Sequence, residues 1–459
     1  MIMKRKYLLI IILVTVSDII NGQDIEENRL KISGELIADE RFLIGDKQDW
    51  AWNENRFTLK FDRRITGKSK FNSEIWVRNS GLPDIIGSSD LFNKGIVDPF
   101  SMEIREANVQ IYEFLTRNLD IKIGRQRIAW GTADKINPTD NLNPFDLEDI
   151  LDFGRHRGSD AITASYYLNS DFFLQGVYIP YFQPANMPVG LFANALAPVT
   201  DLPEGLTLKS ISDTLLMPRF NIRESSSAGV RIKGYTKGID VSLSYVWGYD
   251  GLPVSTRNTF IPVDLTGGID INSRLSFIRT HILGADFATS ISGAGFWGEA
   301  ALYVPDKKVI MTNDLSALYP LSPAPVIVDA TIVDKPYVKF ILGGDYNFRD
   351  GSYVNIQYLH GFFHERGKEN LNDYFFIRYE KKFLNEKLMI APVGGAFIVS
   401  NWKKVKDNST IVYVPQISYK ATDDIEISLS LAVFSGKGDN MFSSFNDYDM
   451  FMFLMKYNF

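Results

Sequence analysis

The chain has 459 residues, 45% of them hydrophobic and 13% aromatic, with a formal charge of −6 and no cysteine. Without cysteine there can be no disulfide and no lipobox-type lipid anchor. The acidic balance argues against nucleic acid as a partner, because that calls for a basic surface, while the high aromatic share suits the interfacial girdles of a membrane barrel.

At the N-terminus Lys4-Arg5-Lys6 precedes a short apolar run at 7–16. A basic stretch followed by an apolar run too short to span a bilayer reads as a cleavable export signal. The signal is expected at 1–22, with the cut after Gly22 or after Ser17. No later run is long and apolar enough for a transmembrane helix. Residues 23–459 are therefore read as one exported domain that is periplasmic, secreted or an outer-membrane barrel.

From there on the pattern is alternation. Phe71, Ser73, Ile75 and Val77 oppose Lys70, Asn72, Glu74 and Trp76. Ile239, Val241, Leu243, Tyr245 and Trp247 oppose Asp240, Ser242, Ser244, Val246 and Gly248. Ile425, Ile427, Leu429, Leu431 and Val433 repeat the arrangement. Period-two patterning predicts strands with one apolar face. Tight turns rich in Gly, Asn and Asp are predicted near 66, 116, 168, 236, 291, 349, 384 and 421. Longer links alternate with them, at 39–54, 79–102, 128–158, 181–226, 249–278, 305–335, 363–372, 400–408 and 435–447. Eight short turns and nine long links predict about eighteen strands, an even number that puts both termini on the short-turn side. The predicted fold class is all-β: a transmembrane antiparallel up-and-down barrel with short periplasmic turns and long extracellular loops. Such a barrel is wide enough for an aqueous lumen unless loops plug it.

Parity places Lys70, Glu74, Arg78, Glu106 and Lys122 on the lumen wall. The third long link holds the densest charge in the chain, with Asp134, Asp140, Asp146, Glu148, Asp149 and Asp152 flanked by Arg125, Arg127, Arg155 and Arg157. Asn137-Pro138 and Asn143-Pro144 impose turns there and prevent a long helix. Three readings are open: a charged constriction folded into the lumen, a solvated external loop, and calcium binding by Asp and Asn oxygens. The calcium reading lacks the ligand spacing it needs, and the constriction is preferred. Its candidate residues are Arg125, Arg127, Trp130, Asp134, Asp140, Asp146, Glu148, Asp149, Arg155 and Arg157. Unbroken alternation from Ile121 and Ile123 would point Arg125 and Arg127 at lipid. Either they sit at the outer rim, or Gly124 marks a bulge that turns them inward.

Gly124-Arg-Gln-Arg-Ile-Ala-Trp-Gly131 followed by Asn137-Pro-Thr-Asp140 resembles the Gly-Arg-Gln…Trp-Gly…Asn-Pro-x-Asp signature of a poorly characterised family of bacterial outer-membrane β-barrel proteins. The strand count is similar to that of the alginate-export porins. The resemblance implies an outer-membrane channel, and in porins a third loop folded inward forms the constriction.

Further along, apolar runs at 189–197 and 324–328 are expected to tuck into the lumen, pack on each other, or meet lipid or a partner. Of the four histidines, His360 and His364 are too far apart on a strand to chelate, so no metal site is expected. No catalytic motif is present. The chain ends on an aromatic face, Phe451, Phe453, Tyr457 and Phe459, which resembles the closing strand read by the barrel-assembly machinery. The expected protein is a porin-like channel in the outer membrane of a Gram-negative bacterium, monomeric or trimeric, passing a small solute of unknown identity. Outer-membrane lipid, lipopolysaccharide and the assembly machinery are its expected partners. No cofactor, no enzymatic activity and no nucleic acid are expected. The alternative is a loop-plugged barrel that serves as a docking or assembly component of an envelope export machine.

Overall fold

The computed structural model describes residues 29–459 except 46–48, 84, 194–195, 197–201 and 203–204. The expected export signal at 1–22 lies outside the described residues. Seven staves follow one another along the chain: β1 (Lys31–Leu43), β2 (Trp50–Thr66), β3 (Ser69–Ser80), β4 (Phe100–Ile111), β5 (Leu119–Gln126), β6 (Ser159–Tyr167) and β7 (Phe172–Ile179). β8 (Thr207–Leu216) leaves the wall, and β9 (Ser227–Thr236) and β10 (Ile239–Tyr249) return to it. The hairpin β11 (Val254–Pro262) and β12 (Gly268–Ser276) leaves again, and β13 (Arg279–Ile291) and β14 (Ala294–Pro305) resume the wall. A second excursion, β15 (Val309–Asp314) and β16 (Ile327–Val333), is followed by β17 (Tyr337–Asn347), β18 (Ser352–His360), β19 (Asp373–Phe383) and β20 (Leu388–Val399). The wall is completed by β21 (Ser409–Tyr413), β22 (Gln416–Lys420), β23 (Ile425–Gly436) and β24 (Met450–Asn458).

The wall is a closed antiparallel barrel of eighteen staves, because β21 and β22 are two halves of one stave broken at Val414-Pro415. Proline lacks an N–H and cannot sit unnoticed in a ladder. The neighbouring stave carries Pro392, a register shift, and Gly394-Gly395 at the same height. Closure is made by β1 against β24, where Gly34 and Phe459 exchange backbone hydrogen bonds of 3.0 and 3.1 Å. A Cβ on Gly34 would lie 2.0 Å from the Thr58 carbonyl oxygen and 2.7 Å from the Phe459 ring. Only glycine fits at this closure.

Exposure is inverted relative to a water-soluble sheet. Leu243 on β10 is 63% exposed while its neighbours Ser242 and Ser244 are 4% and 9% exposed. Apolar side chains face outward and polar ones inward, as a lipid-facing wall requires. On β24, Phe451 packs beside Phe42 and Phe459 stacks on Phe57, with ring centroids 5.0 and 5.6 Å apart. Tyr457 lies along the same outer face, opposite Leu36 of β1.

Three links form strands where the sequence reading expects loops. The links 181–226, 249–278 and 305–335 contribute β8, β11–β12 and β15–β16 to a second, five-stranded sheet in the order β16-β15-β11-β12-β8. Two of its pairings are parallel, β11 with β15 and β12 with β8. These strands find their partners in other links, so no local hairpin signal announces them. The first link is shorter than expected, since β1 runs to Leu43 and β2 starts at Trp50. Of the two apolar runs, the first sends Phe192 into the lumen against Phe445, with ring centroids 5.0 Å apart. The second stays outside, with Ile327 and Val328 about half exposed on β16, a terminal strand of that sheet.

At the long-loop end the lumen holds an apolar core of its own. Leu147 and Ile150 from the third link, Phe192 from the fourth, Phe362 from the seventh, and Phe442 and Phe445 from the ninth meet wall residues such as Trp297, Tyr374 and Ile398.

Candidate functional site

The third link, between β5 and β6, folds across the lumen and is anchored to the wall on several sides. Its acids meet arginines on one side. Asp149 accepts from Arg41 of β1 at 2.9 Å, and Asp146 accepts from Arg105 of β4 at 2.7 Å. Glu148 accepts from Arg78 of β3. Arg155, from the loop itself, lies 3.2 Å from Asp146 and 3.7 Å from Glu148. Trp76 of β3 forms the floor of this cluster, with the Arg56 and Arg105 guanidiniums 4.1 and 4.0 Å from its ring centroid. Such placement combines charge with cation–π attraction.

Asp146 and Asp149 are buried. Burial alone would raise their pKa values, but Arg155 and Arg105 beside Asp146, and Arg41 beside Asp149, outweigh it and hold both below the ordinary carboxylate value. Both are therefore ionised at neutral pH, and each charge is matched, as a buried charge must be.

The opposite anchor is a single wall carboxylate. Glu299 of β14 accepts from the backbone N–H of Thr132, Ala133 (2.6 Å) and Thr139 (3.4 Å), from Asn137 Nδ2 (2.8 Å) and from the Thr139 hydroxyl (2.8 Å). Gly131, at φ +101°, brings the chain close enough for this. A Cβ there would lie 2.6 Å from Glu299 Oε1. Asp134 reaches β18, accepting from Asn355 and Gln357 at 3.0 and 2.9 Å. Trp130 is buried; its Nε1 donates to Gln175 of β7 at 2.9 Å, and Arg231 of β9 sits over its ring.

Arg125 and Arg127 part company. Arg125 keeps the outward parity of Ile123 and pairs with Asp160 near the long-loop rim at 2.9 Å. Gly124 has φ +119° but does not reverse that parity. The stave ends at Gln126, and Arg127 turns inward to Asp140, Asn143 and His156. Arg157 donates to the Pro184 carbonyl oxygen of the fourth link at 2.6 Å. His156 is held neutral, its pKa lowered by burial against the opposing pull of Asp140.

The wall residues Lys70, Glu74, Glu106 and Lys122 lie below this bridge, toward the short turns. Lys70 pairs with Asp62 at 2.5 Å, and Lys122 with Glu106 at 3.8 Å. Glu74 accepts from Trp76 Nε1 at 2.8 Å. Arg78 belongs to the bridge itself. Sequence reasoning missed Arg41, Arg105, Arg231 and Glu299. For Glu299 a signal existed: it shares inward parity with Trp297 and Ala301 opposite outward Phe296, which makes it a lone lumen carboxylate on its stave. Among the described residues, no three His, Cys, Asp or Glu side chains converge in a way that could hold a metal ion.

Two spaces flank the bridge. On the long-loop side is a chamber of about 90 Å³. On the short-turn side is a polar space of about 240 Å³ lined by Gln110, Lys122, Gln126, Arg127, Gln175 and Arg231.

Among solved structures, the chain is similar to OccK9 (OpdG) of Pseudomonas aeruginosa, at 10% identity and a TM-score of 0.51, covering 95% of this chain and 99% of that one. It is also similar to OmpF of Salmonella typhi in complex with daunomycin, at 12% identity and TM-score 0.42, covering 94% and 98%. A third is OmpT, an outer membrane protein of Vibrio cholerae, at 9% identity and TM-score 0.42, covering 96% and 100%. The likeness to OccK9 supports the porin-type fold and nothing finer. No curated protein matches the chain. The family model described as "Protein of unknown function (DUF1302)" matches residues 98–366, and the chain belongs to that family.

Proposed function

We propose that this barrel is a channel of the Gram-negative outer membrane, exported by its leader, in which the third extracellular loop closes most of the lumen and controls passage of a small solute. One observation carries the reading. The loop is anchored on opposite sides of the lumen, by Arg41, Arg78 and Arg105 on one side and Glu299 on the other. A solvated external loop would have no reason to bury Asp146 and Asp149. Mixed charge on both faces of the bridge suits filtering by size and charge. No covalent chemistry is part of the reading.

The test is single-channel conductance in planar bilayers. Steady small steps are expected, and deleting Thr132–Asp149 should enlarge them. An unchanged conductance after that deletion would remove this loop as the constriction. The apolar lumen core around Phe362 and Phe445 favours a second reading, a plugged barrel that docks within an envelope export machine. Total silence of a correctly inserted barrel, with and without the loop, would decide for it.

A further inference from the structure

The polar recess on the short-turn side of the bridge is built from two directly paired rows of the wall. Gln110 of β4, Lys122 of β5 and Thr163 of β6 are cross-strand neighbours, and so are Ser165 of β6, Gln175 of β7 and Arg231 of β9. Inward parity sends all six into the lumen, where they line the recess. At about 240 Å³ it falls just below the range of drug-sized sites. A small polar solute fits it and a long amphiphile does not.

Arg231 holds the unspent donors. It is 8% exposed, and the Trp130 and Phe173 rings back its guanidinium at 5.1 and 6.0 Å. A guanidinium carries five N–H donors. Among the described residues Arg231 makes one hydrogen bond, to Gln175 Oε1 at 3.1 Å, and its Nε is buried without a partner. Asp286 of β13 offsets its charge through space. That carboxylate accepts from Ser242, however, and no described carboxylate comes within 4 Å of the guanidinium. The charge is balanced and the hydrogen bonding is not, and a buried donor left unmet costs free energy.

The neighbouring groups do not supply the acceptor. Arg127 is occupied by the Ile128 carbonyl oxygen, Asp140 and Asn143. Asp120, the only carboxylate in the lining, accepts from the Glu113 N–H and the Tyr167 hydroxyl. Lys122 lies 3.8 Å from Glu106, beyond hydrogen-bond range, so its ammonium also has donors to spare. A planar fork of donors is matched by a carboxylate, which offers two oxygens at once. We infer that the recess binds a small hydroxylated monocarboxylate, its head on Arg231 and its hydroxyls among Gln110, Lys122, Thr163 and Ser165. A cation would meet Arg231 and Lys122 unfavourably, and a neutral polyol would leave the fork half used. This rests on the channel reading and names its solute class, but binding is measured without passage.

The full-length barrel in lipid nanodiscs is titrated with gluconate and with gluconamide, its neutral counterpart, by saturation-transfer NMR, with empty nanodiscs as reference. Saturable binding of gluconate is expected, about tenfold tighter than that of the amide, as one charge-assisted pair allows. Equal binding of the two, or no saturable signal above the empty discs, means that the recess holds water alone and overturns the inference with no variant needed. Arg231→Gln should bring gluconate down to the level of gluconamide, while Ser165→Trp should fill the recess and abolish both. Persistence of the acid preference in a heat-modifiable R231Q barrel also overturns it. Conductance without gluconate binding sinks this inference alone, whereas binding in a silent barrel supports it and sinks the channel.

Discussion

Glu299 lies 167 residues beyond Thr132, yet it receives five hydrogen bonds from the third link. Glu299→Leu removes the acceptor and strands buried donors. It should lower the stability of the heat-modifiable form by about 2–4 kcal/mol and make channel currents noisier. Quiet currents and an unchanged thermal midpoint would show that the bridge is held elsewhere. Asp149→Asn is expected to be milder, about 1–3 kcal/mol, because Arg41 keeps Asp39 at 2.6 Å.

The loop groups also set a pH response. His364 is buried beside Lys339 and Arg366, and its pKa falls to about 3, burial being the larger cause. A lowered histidine pKa means that the unfolded chain binds the proton more readily. Its contribution to stability is complete above about pH 6.5 and is lost as pH falls toward 3. Asp146 and Asp149, also lowered, contribute above about pH 4 and lose their share below it. All three act in the same direction. Acid should loosen the bridge in two stages, read as rising conductance or earlier heat modification between pH 7 and 3. A response flat across that range contradicts the assignment.

At the scale of the element, the staves were legible and the excursions were not. Alternation such as that of Ile239–Trp247 reports a lipid face and a lumen face directly, because each face has one solvent. β8 is exposed along its whole length, and among the described residues it pairs with β12, in parallel, from another link. No local periodicity encodes such a pairing. The third link was legible in its composition but not in its partners. Acids and Asn-Pro pairs can be read in order, whereas Arg41, Arg105 and Glu299 meet them only once the barrel has closed. The parity question at Arg125 and Arg127 turned on where the stave ends, and strand ends are the least determined feature of a sequence pattern.

The closing element carries its own prediction. Deleting Phe459 removes the hydrogen bonds to Gly34 and the stack on Phe57, so assembly rather than conductance should suffer. Gly34→Val should behave alike, since a Cβ there collides with the Thr58 carbonyl. Normal yields of heat-modifiable barrel for both variants would remove the closing role.

For the whole molecule, the wall separates two apolar regions, the lipid-facing belt and the core within the lumen. The second sheet rests on the wall at its base, where Val254, Val309 and Val333 pack with Tyr337 of β17. Its cluster of Phe260, Ile269 and Ile271 is distinct from the lumen core. Replacing Ser255–Leu275 by a short turn should therefore leave a heat-modifiable barrel with the same constriction. Loss of the folded species would show that the outer sheet is part of the scaffold.

The stave broken at Val414-Pro415, beside Pro392 and the Gly394-Gly395 pair, gives the hoop a preferred place to breathe. Elsewhere, apart from single register shifts in the β1–β2, β2–β3 and β3–β4 pairings, each stave is tied to both neighbours by a continuous run of donors, and stretching the circumference means parting many bonds at once. Along this line the ties are fewer and the backbone is less restrained, so circumferential strain should concentrate here. Hydrogen–deuterium exchange should find the amides of Val393, Gly394 and Val414 among the first of the wall to open, and those of β1 to β3 among the last. A barrel strained by a mismatched bilayer would then yield along one meridian, leaving the opposite arc, β5 to β9, undisturbed.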